Sequence, residues 1–170
     1  DIPRRLNLNN KIIVDSKNHE KLTPKEIIAV SSQVGASKIA LELGYEELKR
    51  NYYNFGFTKP ISINFPSSTF GYMNIKESVS DSELASLGYG YGITMSPFQI
   101  ASAYSVFAND GEYKDFQLLK NEEVTSRKII SSYSASNVLD ALKKVVKDGT
   151  GKAAEIKGFS EGGKTGTVHK

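Results

Sequence analysis

Residues 158–167 read GFSEGGKTGT, and their first eight letters match the phosphate-loop pattern G-x-x-x-x-G-K-[ST], ending at Lys164 and Thr165. That pattern indicates a nucleotide site only where a buried apolar strand precedes the glycines and a helix begins at the Lys-Thr pair. Residues 151–158, GKAAEIKG, are charged and short-sided, and the letters TGTVHK favour a strand over a helix. A nucleotide-binding module is therefore the least favoured function, and GKTGTV at 163–168 is predicted to be a strand.

The composition excludes several other classes of function. The chain has 170 residues, enough for one ordinary domain, and its net charge of +3 comes from dispersed Lys and Arg, so no nucleic-acid partner is expected. Cysteine is absent, which excludes disulfides and thiol catalysis. His19 and His169 lie far apart in the sequence without a metal-ligand spacing, so no metal site is expected. No apolar run approaches the length of a membrane span, and no signal-peptide core precedes the first helix.

Three helix starts share one device, a hydroxyl residue followed three places on by Glu or Gln. The segments are TPKE from Thr23, SDSE from Ser80 and SPFQ from Ser96, and they predict helices through about Val30, Leu87 and Phe107. On the third helix an apolar stripe is formed by Phe98, Ala101, Tyr104 and Phe107. Asn109-Asp110-Gly111 is predicted to end it.

Three further helices are predicted from apolar periodicity and terminal glycines. Their sequences are GASKIALELG, YEELKRNYYNFG and SASNVLDALKKVVKDG, which end at Gly44, Gly56 and Gly149. Strand candidates are short, namely KIIVD at 11–15, YKDFQLL at 113–119 and the terminal GKTGTV, and the longest loop candidate is residues 58–74. The prediction is one mixed α/β unit, mostly helical, whose C-terminal strand has no partner in this chain. Because an unpaired edge strand is a liability, the chain is expected to be a piece of something larger.

Two polar segments have a chemical sense when they are considered together. In VSSQVGASK at 30–38, Ser31, Ser32 and Gln33 fall at the junction of two predicted helices, and KTGT at 164–167 lies on the predicted strand. Alone, each is weak evidence, since a serine at a helix junction is ordinarily a cap and Lys-Thr-Gly is usually a surface turn.

The chain resembles the penicillin-recognising serine acyl-transferases, which carry Ser-x-x-Lys, Ser-x-Asn and Lys-Thr/Ser-Gly motifs. LGYGYGITMSPFQIASAYSVFANDG at 87–111 is similar to the G-x-G segment and following helix of class B penicillin-binding proteins, and GKAAEIKGFSEGGKTGT is similar to the approach to their active-site strand. Within class B, the chain is most similar to the division-type transpeptidase that crosslinks peptidoglycan at the septum. The resemblance implies part of the penicillin-binding protein transpeptidase fold, which is shared with serine β-lactamases.

The same resemblance implies a role for each matching residue. Ser31 would relay a proton to the leaving amine, and Lys164 would lend positive charge to that relay and to the substrate carboxylate. The hydroxyls of Thr165 and Thr167 would bind the carboxylate, and the Thr167 amide would donate to the oxyanion. Gly166 would let the substrate backbone lie flat along the strand.

The sequence departs from the family pattern in two ways. Gln33 stands where the family has Asn, whose amide would hold the acylamino group of the substrate, so a changed rate or β-lactam affinity is expected. No serine in the chain has a lysine three places on, so the nucleophile is expected to lie outside residues 1–170. These residues are therefore predicted to be a partial transpeptidase domain, truncated at both ends, that alone forms no adduct with penicillin.

The resemblance also implies partners and a location. The substrates would be stem peptides ending in D-Ala-D-Ala, β-lactams would inhibit, and no cofactor is needed for serine acyl transfer. A glycosyltransferase of the division complex would be a partner, and an N-terminal anchor would hold the parent in the bacterial inner membrane, facing the periplasm. Two alternatives stay open: a D,D-carboxypeptidase or serine β-lactamase with the same motifs, and a non-catalytic scaffold for division proteins.

Overall fold

The computed structural model describes residues 1–60, 71–120 and 123–166. The elements in chain order are β1 (Arg5–Leu8), β2 (Lys11–Val14), α1 (Pro24–Val30), α2 (Gln33–Leu43), α3 (Tyr45–Asn54), α4 (Asp81–Gly88), α5 (Pro97–Ala108), β3 (Glu112–Lys114), β4 (Ser126–Lys128), α6 (Ser132–Lys147) and a 3₁₀ turn at Lys152–Ala154. Within these ranges, β1 pairs with β2 and β3 with β4, both antiparallel. The predicted mixed α/β fold, mostly helical, is confirmed.

The predicted helix boundaries are confirmed by their caps. Thr23, Ser80 and Ser96 each accept a hydrogen bond from the backbone N–H three residues on, and the Glu or Gln at that position bonds back to the cap N–H. This reciprocal pairing satisfies two N–H groups that the first helical turn leaves without a partner. At the other ends, α2 stops at Gly44 and α6 stops just before Gly149, as the sequence predicts.

The core lies where the first hairpin meets the helices. Its buried cluster consists of Ile2, Ile13, Ile27, Val34 and Ala85, contributed by the N-terminal segment, β2, α1, α2 and α4. Helices α2 and α4 approach closely, since a Cβ at Gly88 would lie 2.6 Å from the Ala40 Cβ. Core burial therefore fixes the hairpin against the start of α2.

The segment after α6 lies against the C-terminal end of α1. The Thr150 N–H donates to the Ala29 carbonyl at 3.3 Å. A Cβ at Gly149 would lie 2.3 Å from the same carbonyl oxygen, so only glycine allows this approach. The contact places Gly149 and Thr150 beside the C-terminal end of α1.

The apolar stripe predicted on α5 is not the buried face of that helix. Phe98 and Tyr104 are 46% and 39% exposed, and they form edge-to-face contacts with Phe116 and Phe107. The buried side chains of α5 are Gln99, Ser102, Ala103 and Val106. The small side chains on this face let neighbouring backbone approach the helix, and Gln99 forms hydrogen bonds with that backbone. Hydrogen bonding and close packing, and not apolar content, therefore decided which face of α5 is buried.

Two strand predictions are only partly met. Strand β3 covers three residues, and only Tyr113 and Lys114 of them belong to the predicted 113–119 segment. Residues 163–166 pair with no strand among the described residues, and the Gly163 N–H instead donates to the Leu142 carbonyl of α6 at 3.2 Å. The rest of that predicted strand, and most of the predicted loop at 58–74, lies outside the described residues.

In the described part of the chain, no helix combines the length and the apolar content that crossing a bilayer requires.

Candidate active site

Ser31 lies at a sharp turn between α1 and α2. It ends α1 with φ 59° and ψ 44°, a left-handed conformation that costs a non-glycine residue about 1–2 kcal/mol. Two backbone bonds hold the turn, from the Ser31 N–H to the Ile28 carbonyl and from the Ser32 N–H to the Ile27 carbonyl. Ser31 is exposed while Ser32 is buried and caps α2. The predicted helix junction is therefore present, and its turn leaves the Ser31 hydroxyl at the surface.

Lys164 reaches this junction from the far end of the sequence. Its Nζ donates to the Ser31 Oγ at 2.7 Å across 133 residues, to the Thr165 carbonyl at 3.0 Å and to the Thr165 hydroxyl at 3.2 Å. Burial lowers the pKa of Lys164, because desolvation disfavours its charged form. An ammonium with a lowered pKa releases a proton more readily, so the pair is suited to passing a proton through Ser31.

Thr165 is held by a residue that the sequence analysis missed. Its hydroxyl lies 2.9 Å from the Thr150 hydroxyl, and Thr150 is itself bonded to α1 through its N–H. Thr150 thus connects the Lys-Thr-Gly segment to the helix that ends at Ser31. In the sequence, Thr150 stands in a Gly-Thr-Gly segment after α6. This segment indicates a turn but does not show that Thr150 contacts Thr165.

Of the other predicted site residues, Gln33 is exposed in the first turn of α2, and its side chain makes no hydrogen bond with another described residue. Gly166 faces open space, since no atom lies within 4 Å of where its Cβ would be. Thr167 lies outside the described residues. The structure therefore brings Ser31, Lys164 and Thr165 into contact.

A buried carboxylate beneath the junction is the second feature that the sequence analysis missed. Asp15, directly after β2, is 5% exposed. It accepts hydrogen bonds from the Ser32 hydroxyl at 2.5 Å and from the Val34 N–H at 3.0 Å. An aspartate following the apolar KIIV strand was visible in the sequence, but its partners lie 17 and 19 residues away.

The cluster can serve anion binding and proton transfer. The Lys164 ammonium and the hydroxyls of Ser31 and Thr165 lie together on one surface. Such a group of donors is suited to binding a carboxylate. No helix begins at Lys164, so the geometry of a phosphate loop is lacking. The described residues contain no group of His, Asp and Glu side chains that could hold a metal ion.

The fold and the order of the motifs define a penicillin-recognising class of protein. A family model described as the penicillin binding protein transpeptidase domain matches residues 6–170, and the chain belongs to that family. The predicted resemblance is confirmed.

Two of the similar curated proteins are named as peptidoglycan D,D-transpeptidases. The chain is 33% identical over 160 residues to peptidoglycan D,D-transpeptidase FtsI of Buchnera aphidicola, covering 93% of this chain and 28% of that protein. It is 32% identical over 170 residues to the probable peptidoglycan D,D-transpeptidase PbpC of Pseudomonas aeruginosa, covering 99% of this chain and 30% of that protein. The chain thus spans less than a third of the length of these curated relatives.

A solved structure of a penicillin-binding protein domain is also similar to this chain. The apo structure of the TP domain of penicillin-binding protein 3 from Burkholderia pseudomallei superposes with a TM-score of 0.90 at 31% identity, covering 99% of this chain and 52% of that one.

Proposed function

We propose that the full-length protein is a serine D,D-transpeptidase that crosslinks peptidoglycan stem peptides during septal wall synthesis, and that residues 1–170 form part of its transpeptidase domain. The observation that carries the proposal is the 2.7 Å hydrogen bond from Lys164 to Ser31, which joins two motif segments 133 residues apart. Family membership and relatives of the division type support it further.

In the proposed acylation, a serine hydroxyl supplied from outside residues 1–170 gives its proton to the lysine of its own Ser-x-x-Lys motif and attacks the carbonyl of the penultimate D-alanine. The new C–O bond replaces the C–N bond to the terminal D-alanine, whose nitrogen needs a proton to leave as an amine. Ser31 gives that proton from its hydroxyl, and Lys164 replaces it through the hydrogen bond between them. The lowered pKa of Lys164 makes this replacement easier. An acceptor amine then takes the acyl group and releases the serine.

The carboxylate of the terminal D-alanine is proposed to bind beside this relay. The Lys164 ammonium supplies charge, and the hydroxyls of Thr165 and Thr167 supply donors. The contact between Thr165 and Thr150 orients the Thr165 hydroxyl before substrate arrives, which lowers the entropic cost of binding. The carboxylate on the thiazolidine ring of a penicillin would occupy the same position.

The remaining parts of the proposal concern the cellular setting. Peptidoglycan stem peptides are crosslinked outside the cytoplasm, so the site is proposed to face the periplasm, with an anchor in the inner membrane and a glycosyltransferase of the division complex as partner. Support comes from the similarity to peptidoglycan D,D-transpeptidase FtsI of Buchnera aphidicola.

Intact-mass measurement tests the activity directly. After brief incubation with benzylpenicillin, the full-length protein is expected to gain one covalent adduct, whereas residues 1–170 alone, which have no Ser-x-x-Lys motif, are expected to gain none. A folded full-length protein that gains no adduct would instead support the non-catalytic scaffold.

Gln33→Asn tests the departure from the family motif. The glutamine amide is about one methylene further from the backbone than an asparagine amide, and a displacement of ~1 Å costs on the order of 100-fold in rate when nothing compensates. The variant is expected to acylate faster with benzylpenicillin, by about 10-fold or more by the same reasoning. Stopped-flow acylation rates measure this, and an unchanged rate would show that the backbone of α2 already compensates.

A further inference from the structure

We propose that Asp15 is a positioning residue of this site, whose buried carboxylate sets the directions in which the Ser31 hydroxyl and the Gln33 amide point. The inference rests on the proposed function and adds to it a residue outside the three family motifs. Asp15 does not contact the substrate surface, because it lies beneath the junction with 5% of its area exposed.

Buried and exposed residues alternate along the α1–α2 junction. Ser32 and Val34 are buried at 4% and 0% exposure, and both donate hydrogen bonds to the Asp15 carboxylate. Ser31 and Gln33, which alternate with them, are exposed. One carboxylate therefore holds the inner side of the segment at two points, and the two candidate site side chains project from the outer side.

Asp15 belongs to the β1–β2 hairpin and not to the α1–α2 junction that it contacts. The Asp15 N–H donates to the Arg4 carbonyl at 3.0 Å, which continues the pairing of β1 with β2. The β1–β2 hairpin is anchored in the core through Ile13. Asp15 thus ties the α1–α2 junction to a packed hairpin and not only to its own two helices.

The chemistry of the contact explains why a carboxylate stands there. The Ser32 Oγ already accepts a hydrogen bond from the Gly35 N–H at 2.8 Å, so the hydroxyl proton of Ser32 is available for donation to a second acceptor. The Val34 N–H belongs to the first turn of α2, where backbone donors lack helical partners and the helix dipole favours a negative charge. A carboxylate accepts both bonds at once, whereas an asparagine accepts the N–H bond but offers no second oxygen to the hydroxyl.

The experiment compares Asp15→Ala and Asp15→Asn with a matched control in the full-length protein. The control is Ser37→Ala, which removes a fully buried hydrogen bond from the same helix, to the Ala85 carbonyl at 3.1 Å, away from the junction. Stopped-flow kinetics would separate the acylation rate constant from initial binding for benzylpenicillin and for 6-aminopenicillanic acid, which lacks the acylamino group. Thermal melting would report stability of each variant.

For Asp15→Ala we expect the acylation rate constant for benzylpenicillin to fall about 10- to 100-fold, the range that a misplacement of ~1 Å produces. The loss should be smaller with 6-aminopenicillanic acid, which has no group for Gln33 to hold. Asp15→Asn should recover part of the rate. Ser37→Ala should keep the wild-type rate per folded molecule although its melting temperature falls, since a purely structural loss does not alter the site.

Three outcomes would overturn the inference. The first is a folded Asp15→Ala variant that acylates at the wild-type rate. The second is a loss of acylation rate that is equal for both β-lactams and is matched by Ser37→Ala. If Asp15→Ala does not fold, Asp15→Asn decides, and an unchanged rate constant in that variant would reject the proposal. Wild-type protein that forms no adduct at all would reject the proposed function itself, which separates the two failures.

Discussion

Lys164→Ala in the full-length protein is expected to lower the rate of acylation by benzylpenicillin about 1,000-fold, within the range for loss of a proton donor and of an electrostatic clamp. The reason is that the Lys164 Nζ is hydrogen-bonded at 2.7 Å to Ser31 and also to Thr165, so one substitution removes both the proposed proton relay and the positive charge proposed to bind the substrate carboxylate. The measurement is the second-order acylation rate, normalised to folded protein. Lys157→Ala, which removes an exposed lysine from the preceding loop, is the control and should keep the rate.

The pH dependence of acylation gives a second test of Lys164. Because burial lowers its pKa, the ammonium is lost at a pH below the ordinary lysine value of 10.5. If the protonated form is the active one, the rate should decline as the pH rises through that lowered pKa. Lys164→Arg should be slower at neutral pH but lack this decline, since a guanidinium keeps its proton. An identical alkaline decline in wild type and Lys164→Arg would contradict the assignment.

Gln99→Ala is expected to reduce the free energy of unfolding by about 3–5 kcal/mol, because each buried polar group left unpaired costs about 1–3 kcal/mol. Gln99 is 1% exposed. Its Oε1 accepts hydrogen bonds from the N–H groups of Gly71 and Ser96, and the two N–H groups of its Nε2 are shared among the carbonyls of Gly56, Phe57 and Lys59. One side chain thus joins three separate stretches of backbone, and alanine leaves all five groups without it.

Urea unfolding of the full-length protein would measure the Gln99 effect. Asn137→Ala is the matched control, since it removes an amide that bonds only within its own exposed helix face, and it should change stability by about 0.5 kcal/mol or less. Gln99→Glu keeps the shape and the acceptor but turns the donor into an oxygen facing three carbonyls, so it should be at least as damaging as alanine. A loss below about 1 kcal/mol for Gln99→Ala would show that water replaces the amide.

Local features of the fold were predictable because their causes lie within a few residues. A capping box needs only a hydroxyl and an acid or amide three residues apart, so the helix starts at Thr23, Ser80 and Ser96 follow from the letters alone. The α5 stripe was misjudged for the opposite reason. Which face is buried depended on the backbone that Gln99 meets, and that backbone lies about 40 residues away.

The candidate active site likewise has features that the sequence predicted and features that only the fold revealed. The motif residues Ser31, Gln33 and Lys164-Thr165, together with the flanking segments at 87–111 and 151–167, were enough to identify the family, because their order can be recognised without knowing any distance. The resemblance implied that Lys164 serves the Ser31 relay, but only the tertiary structure showed their 2.7 Å contact and revealed Asp15 and Thr150 as supporting residues. Hydrogen bonds act over about 3 Å in space. Partners separated by many residues in sequence therefore become visible only when packing of α1 against α6, and of the hairpin against α2, brings them together.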